Sequence, residues 1–359
     1  MNKILACLLL IIFSVKCFAQ TPNRVLYVVD GIPVVDEPKE DEQPRSDEID
    51  WVKVVTNPDS IKQAGYGGKL DKIIYLNTKA YSQRTDAVKS IPSTKTMTRK
   101  NGLWHLKDAF TPYSGPFIDY FMNGRKQGEG VLKNGIIDGI RTMYYPNGNT
   151  RYFYTYANGV ENGASEEYFI NGKLKQKGSF VDKKQVGLWQ VFYSTGKLKG
   201  ESSFINNKQS VSKEEEKFYA LMNKGLSLMQ EEDYAAVIKK LDAAEKIKQS
   251  YADLYFYRGT AKLDLFNFDD AILDLDKAIA IEPLYMEAIA NRAFTRLRKY
   301  QFKDSRTLSK TKEVTVLAAK DNVPIPKDDL DKICADLNLA YTLGDTKPMI
   351  LDAMKEYCK

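Results

Sequence analysis

Hydrophobic residues follow three successive rhythms along this chain, and each rhythm predicts a different kind of element. From Gly115 to about residue 210, aromatic pairs recur at Tyr120-Phe121, Tyr144-Tyr145, Tyr168-Phe169 and Phe192-Tyr193. Gly115, Gly139, Gly163 and Gly187 are 24 residues apart, and so are Gly124, Gly148, Gly172 and Gly196. A fixed period of this length marks stacked repeats. Each aromatic pair is followed by Asn123-Gly124, Asn147-Gly148, Asn171-Gly172 or Thr195-Gly196, and further turns at Asn134-Gly135 and Asn158-Gly159 join one unit to the next. Asn-Gly supplies the two positive φ angles of a tight hairpin, so the spacing predicts a continuous antiparallel meander with aromatics stacked in register.

From Ser212 the rhythm becomes helical and the repeat lengthens to 34 residues: Gly225, Gly259 and Ala293 keep that spacing, as do Tyr234, Phe268 and Phe302. Leu241 and Leu275, and Ala244 and Ala278, match as well. Small residues at the first set let two helices approach, while the aromatics fill the gap at the turn. The third unit departs from the pattern, with Ser305, Ser309 and Lys312 where small or apolar residues are wanted. An insertion at about 303–327 is therefore expected, after which DDLDKICADLNLAYTLGD resumes the second helix. Gly344-Asp345 stops that helix, and a last one is expected at Lys347–Cys358.

The first part of the chain is less regular. RVLYVVDGIPVVDE reads as a strand running into an Asp-Gly turn, followed by an acid-rich loop to Asp50, a strand at Trp51–Val55, a short helix near Asp59–Ala64 and a strand at Lys72–Thr78. Residues 85–98 are polar and without period, which predicts a linker, and GLWHLKDAFTPYSG reads as a lead-in strand.

The opening MNKILACLLLIIFSVKCFAQ has the lysine, short apolar run and small-residue end of a secretory signal peptide, expected to be removed as residues 1–19. Removal takes away Lys3 and Lys16 and lowers the formal charge of +6 to +4, too mild to argue for a nucleic-acid partner. It also leaves Cys334 and Cys358 as a lone pair, a disulfide candidate in an exported chain. Helical arms of about 15 and 20 Å run from Gly344 to these two cysteines, so antiparallel packing lets the sulfurs meet. A lipid on Cys17 is the rival to simple cleavage, although Lys16 stands where a small residue is wanted.

Three resemblances follow from these residues. Leu26–Pro33, Tyr66-Gly67 and Thr78-Lys79 resemble the plug of TonB-dependent outer-membrane receptors, whose barrel would need hundreds of further residues. The 24-residue units resemble the MORN-type repeat in the form of the YwqK antitoxin family, with only Trp189 keeping that family's tryptophan. The 34-residue units, with Pro283 closing the second, resemble tetratricopeptide (TPR) repeats. Together they imply a multidomain α+β chain of Bacteroidota type. Its expected parts are a small mixed α/β plug-like domain at 20–84, a linker at 85–98, an antiparallel MORN-type β-meander at 99–210 and a C-terminal TPR solenoid at 211–359. The TPR resemblance also implies a groove that binds a protein partner, formed by Met222, Leu226 and Met229, then Phe256, Thr260, Leu263 and Asp264, then Ala290, Phe294, Leu297 and Arg298. The C-terminal helix or the insertion would be the alternative occupant of that groove.

Little reactive chemistry is legible. His105 is the single histidine, so no zinc site or thiol-imidazole couple can be assembled around it. Gly65-Tyr66-Gly67-Gly68-Lys69 lacks the spacing of a phosphate loop and reads as a turn. Asp269, Asp270, Asp274 and Asp276 read as a solvated helix face. The expectation is a non-enzymatic scaffold without cofactor, metal or nucleic-acid partner. It would be exported to the periplasm or the outer membrane and serve as an accessory subunit of an outer-membrane complex in TonB-linked transport, barrel assembly or secretion. Membrane association would be indirect, through a partner or the Cys17 lipid. The YwqK resemblance offers an antitoxin as an alternative. Lipid or glycan binding by the aromatic sheet is another, since Lys and Arg outnumber acids 13 to 8 between 115 and 210.

Overall fold

The computed structural model describes residues 24–34, 42–66, 70–205, 208–303, 307–310, 315–318 and 324–358. The expected signal peptide and Cys17 lie outside them. The chain divides into two compact units, 1–187 and 188–359.

The first unit begins with a mixed sheet. β1 (Val25–Val29) turns through Asp30 and Gly31, both at positive φ, into β2 (Ile32–Val34). β3 (Ile49–Val55) leads to the short helix α1 (Pro58–Gln63), which Asn57 caps by accepting from the Asp59 and Ser60 amides, and then to β4 (Lys72–Thr78). The strand order is β2-β1-β4-β3, with β1 and β4 parallel and the other pairs antiparallel. Val29, Ile49 and Leu76 form a small core that also receives Met122, from the first repeat.

The segment expected as a linker is structured instead. α2 (Lys79–Ser82) and α3 (Asp86–Lys89) are single turns capped by the hydroxyls of Thr78 and Thr85. Ser93 and Thr94 then donate three hydrogen bonds of 2.7–2.8 Å to the Asp119 carboxylate. Side-chain caps and one buried acid hold this stretch, and neither leaves a periodic trace. β5 (Thr98–Lys100) and β6 (Leu103–His105) make a hairpin where a single lead-in strand was expected.

The repeats form the antiparallel meander. β7 (Gly115–Tyr120), β8 (Lys126–Lys133), the short β9 (Ile136–Ile137), β10 (Gly139–Tyr144), β11 (Thr150–Ala157), β12 (Val160–Tyr168) and β13 (Leu174–Val181) follow in the first unit, with β9 pairing β8 to one side of the path. Two kinds of turn alternate. At Asn134-Gly135 and Asn158-Gly159 both residues have positive φ, as a two-residue hairpin requires. At 123–124, 147–148 and 171–172 only the glycine does. There the Gly124, Gly148 and Gly172 amides donate back three residues, and the Asn123, Asn147 and Asn171 Oδ1 atoms accept from the amide two residues on. This is the longer loop with a glycine bulge. The expectation of two positive φ angles therefore fails at these turns: the preceding residues already bend the chain, and asparagine serves as an acceptor.

β14 (Lys184–Phe192) straddles the division, and β15 (Leu198–Ile205) and β16 (Lys208–Ser210) follow in the second unit. Helix pairs come next: α4 (Lys213–Gln230) with α5 (Tyr234–Glu245), and α6 (Ala252–Asp264) with α7 (Phe268–Ile281). Gly225 and Gly259 sit where an added Cβ would lie 3.0 Å from Leu241 Cδ2 and 3.1 Å from Leu275 Cγ, so each pair packs closely at its glycine. α8 (Met286–Gln301) is separated by a two-stranded insertion, β17 (Thr307–Lys310) and β18 (Thr315–Leu317), from its partner α9 (Lys327–Thr342). α10 (Pro348–Tyr357) packs Ile350 and Ala353 into a core with Ile289, Ile333 and Leu337. A disulfide joins Cys334 of α9 to Cys358, with Cα atoms 5.4 Å apart.

Candidate functional site

The first helices of the three pairs form a row, α4 touching α6 and α6 touching α8. Repeat spacing places one residue of each in the same relation to the row. The side chains expected to line a groove there divide into two sets. Met222, Leu263, Ala290 and Leu297 are buried, with exposures of 3–7%, so these four belong to the core. Burial here differs from one repeat to the next: Phe256, at the 34-residue position of Met222 and Ala290, and Met229, at that of Leu263 and Leu297, are only half-buried.

Leu226, Met229, Phe256, Thr260, Asp264 and Phe294 are half-buried, and Arg298 is exposed. These remain on the surface of the row. Met229 and Phe256 lean on the first helical core and Phe294 on the second, which fixes their positions. The Thr260 hydroxyl donates to the Phe256 carbonyl (2.9 Å) and accepts from Asn291 Nδ2 (3.0 Å), bridging α6 to α8. Asn291 Oδ1 has no partner among the described residues. Burial raises the Asp264 pKa; the positive charge of Arg298 opposes the shift and the negative charge of Glu232 adds to it. The row thus combines fixed apolar side chains with an amide acceptor and both an acid, Asp264, and a base, Arg298, which is chemistry for holding an extended peptide.

Between arginines of the first helices and acids of the second helices is an ion network that sequence reasoning missed. Arg258 donates through Nε and Nη2 to both oxygens of Asp274 (2.8 Å each) and through Nη1 to Asp242 (2.7 Å) and Glu245 (2.5 Å). Arg292 repeats the arrangement, with Asp336 as its bidentate partner (2.9 and 2.6 Å) and Asp276 at 2.6 Å. Burial works against the Arg258 charge, but hydrogen bonds to Asp274 and Glu245 more than offset it and hold its pKa above the ordinary value. Asp274 is 2% exposed and paired, so the solvated acidic face expected at 269–276 does not describe it. A signal for the network was present: Arg258 and Arg292, and Asp242 and Asp276, keep the 34-residue spacing. Asp274 would recur at 308, and its counterpart Asp336 is displaced by the insertion.

His105 is buried on β6, with Nδ1 lacking a hydrogen bond among the described residues. Those residues include no group of three or more His, Cys, Asp or Glu arranged to hold a metal, and no helix long and apolar enough to cross a membrane.

Comparison with known proteins accounts for the middle of the chain. The family described as MORN repeat variant matches residues 137–158, 161–182 and 185–206. The unit expected to start at Gly115 lies outside the match. No curated relative matches the chain. Solved structures similar to it include the Arabidopsis OM64 TPR domain, at 18% identity over 40% of this chain and 97% of that one with a TM-score of 0.31. Another is the second TPR domain of human RPAP3 in complex with the HSP70 peptide SGPTIEEVD, at 15% identity over 41% and 98% with a TM-score of 0.31. A third is the first TPR of Spaghetti (RPAP3) bound to the HSP90 peptide SRMEEVD, at 15% identity over 40% and 91% with a TM-score of 0.31. The chain is therefore a mixed α+β protein with a MORN-type antiparallel meander and C-terminal helices that have TPR-like neighbours.

Proposed function

We propose that this protein is a non-enzymatic adaptor that grips an extended segment of a partner protein along the row of α4, α6 and α8. The observation that carries this reading is the surface set Leu226, Phe256, Asn291 and Phe294 with the charged side chains of Asp264 and Arg298. Phe256 and Phe294 are held by core contacts, and Asn291 Oδ1 is an acceptor without a partner among the described residues. The signal-like opening supports an exported location, in the periplasm or at the outer membrane. The resemblance of Leu26–Pro33 to a receptor plug supports service as an accessory subunit of an outer-membrane complex for TonB-linked transport, barrel assembly or secretion.

The test is site-specific photocrosslinking in intact cells with the crosslinker at 226 or 294, followed by mass spectrometry. A recurring envelope protein caught from both positions, and not from the exposed position 239 on the second helix α5, is the expected result. Crosslinks to nothing, or equally to everything from all three positions, would sink the reading.

A further inference from the structure

A second surface lies on the meander of the first unit. Tyr152, Tyr154 and Tyr156 alternate along β11 and share one face of the sheet. Residues opposite them in register share that face as well: Arg141 on β10 stands across from Tyr154, and Glu167 on β12 across from Tyr152. A recess of about 410 Å³ opens there, walled by these three rings together with Tyr145 and Tyr168. Tyr152 and Tyr154 meet edge to face with centroids 5.2 Å apart.

One end of the recess satisfies itself. The Arg151 guanidinium lies 5.9 Å from the Tyr145 and Tyr152 ring centres, and the Tyr154 hydroxyl donates to Glu167, which also faces Lys175 at 3.8 Å. The other end does not. There the Glu161 carboxylate and the Tyr156 hydroxyl line the recess and make no hydrogen bond or ion pair among the described residues; Arg141, which does not line it, has its Nε buried without a partner. Burial raises the Tyr156 pKa, with Glu161 adding to the shift and Arg141 opposing it, so at neutral pH the phenol is a donor set between an acid and a base.

The ligand must answer both charges. A simple cation would satisfy Glu161 and be repelled by Arg141, and a simple anion would do the reverse. Alcohol groups donate and accept at once and carry no charge, so adjacent hydroxyls can give to the carboxylate while taking from the phenol. Flat rings on a face of balanced charge suit the C–H faces of sugar rings. We infer that this recess binds a neutral saccharide chain laid along β11, its hydroxyls held by Glu161 and Tyr156. The inference is independent of the peptide-gripping row, which lies in the other unit.

The experiment is a titration of the full chain, followed by saturation-transfer NMR, with cellohexaose, maltohexaose, xylohexaose and chitohexaose, and with choline chloride and sodium phosphate alongside. At least one hexasaccharide is expected to bind saturably, with affinity falling about tenfold in Glu161→Gln and less in Tyr156→Phe. Glu161→Gln should keep the parent melting temperature, because its carboxylate holds no protein group. Should it melt early, Tyr156→Phe carries the test. Saccharide binding unchanged in both variants, no binding of any hexasaccharide, or Glu161-dependent binding of choline alone would each overturn the inference.

Discussion

At the scale of single residues, two positions show how local chemistry and distant packing are joined. Gly124 has φ +80°, and a Cβ there would lie 2.5 Å from Thr78 Oγ1. That oxygen donates to Asp30 and accepts from the Tyr81 amide. Gly124→Ala therefore meets both backbone strain and a fixed hydroxyl. A loss of about 1–3 kcal/mol in chemical denaturation is expected, against almost none for Gly148→Asn, where the added Cβ has open space and asparagine tolerates the conformation. The second position is Asp274. Removing it leaves Arg258 and Lys262 charged and buried without their shared partner, so Asp274→Ala should cost about 3–5 kcal/mol. Asp242→Ala, at a half-exposed carboxylate on the same arginine, should cost about 0.5 kcal/mol or less. The same network sets a pH dependence. A hydrogen bond from Arg258 holds the Glu245 carboxyl below its ordinary value of 4.5, so the folded state binds that proton more weakly than the unfolded chain. Its contribution is present above about pH 4.5 and is lost as pH falls further. Asp30 and Asp264, raised by burial, act in the opposite sense. The clean measurement is the difference in melting temperature between parent and Glu245→Gln, which should shrink as pH drops from 6 to 3. None of these pairings was legible beforehand except as the 34-residue recurrence of Arg258 and Asp242, because a carboxylate's partner is set by the packing of helices and leaves no local trace.

Elements were far more legible than their ends. The 24-residue glycine period and the 34-residue small-residue period each report one supersecondary unit, since a strand pair or helix pair buries its apolar side against the next copy. The resumption of helix at 327 was readable for that reason, whereas the strand at 72–78 was readable from its own apolar run. The single turns α2 and α3 were not, because four residues held by threonine caps carry no period. The groove prediction failed at Met222, Leu263, Ala290 and Leu297 because family positions fix which helix is used, whereas burial at an equivalent position differs between repeats, as half-buried Phe256 and Met229 show. An element-scale prediction concerns α10. Its own burial is small, with Met349 and Leu351 exposed, and the disulfide closes a loop of 24 residues back to α9. Reduction, or Cys358→Ser, should remove about 3 kcal/mol from the closure of that loop. Hydrogen exchange should then rise first at 348–357, while 150–181 keeps its protection. A uniform rise across the chain would show that the bond supports more than this one helix.

At the scale of the whole molecule, composition placed a boundary at 210, where aromatic strands give way to helices, but the compact units part at 187. The last hairpin belongs with the helices, and the reason is a set of bonds between residues 49–88 apart in the chain. Tyr193 donates to the Ser250 carbonyl (3.1 Å) and accepts from the Ala252 amide (3.0 Å). Ser194 donates through its amide (2.8 Å) and its hydroxyl to Glu282, while Lys199 pairs with Asp253 (2.8 Å) and Lys248 donates to the Lys199 carbonyl (2.9 Å). These groups satisfy the amide that opens α6 and a carboxylate at the end of α7, so hairpin and helices should unfold together. Tyr193→Phe removes the acceptor of the Ala252 amide inside a packed joint. The unsatisfied amide should cost about 1–3 kcal/mol, and hydrogen exchange should accelerate in 198–205 and 252–264 to the same extent. If 198–205 alone loses protection while α6 keeps its own, the hairpin is only an appendage to the helices, and the division at 187 does not mark a cooperative unit.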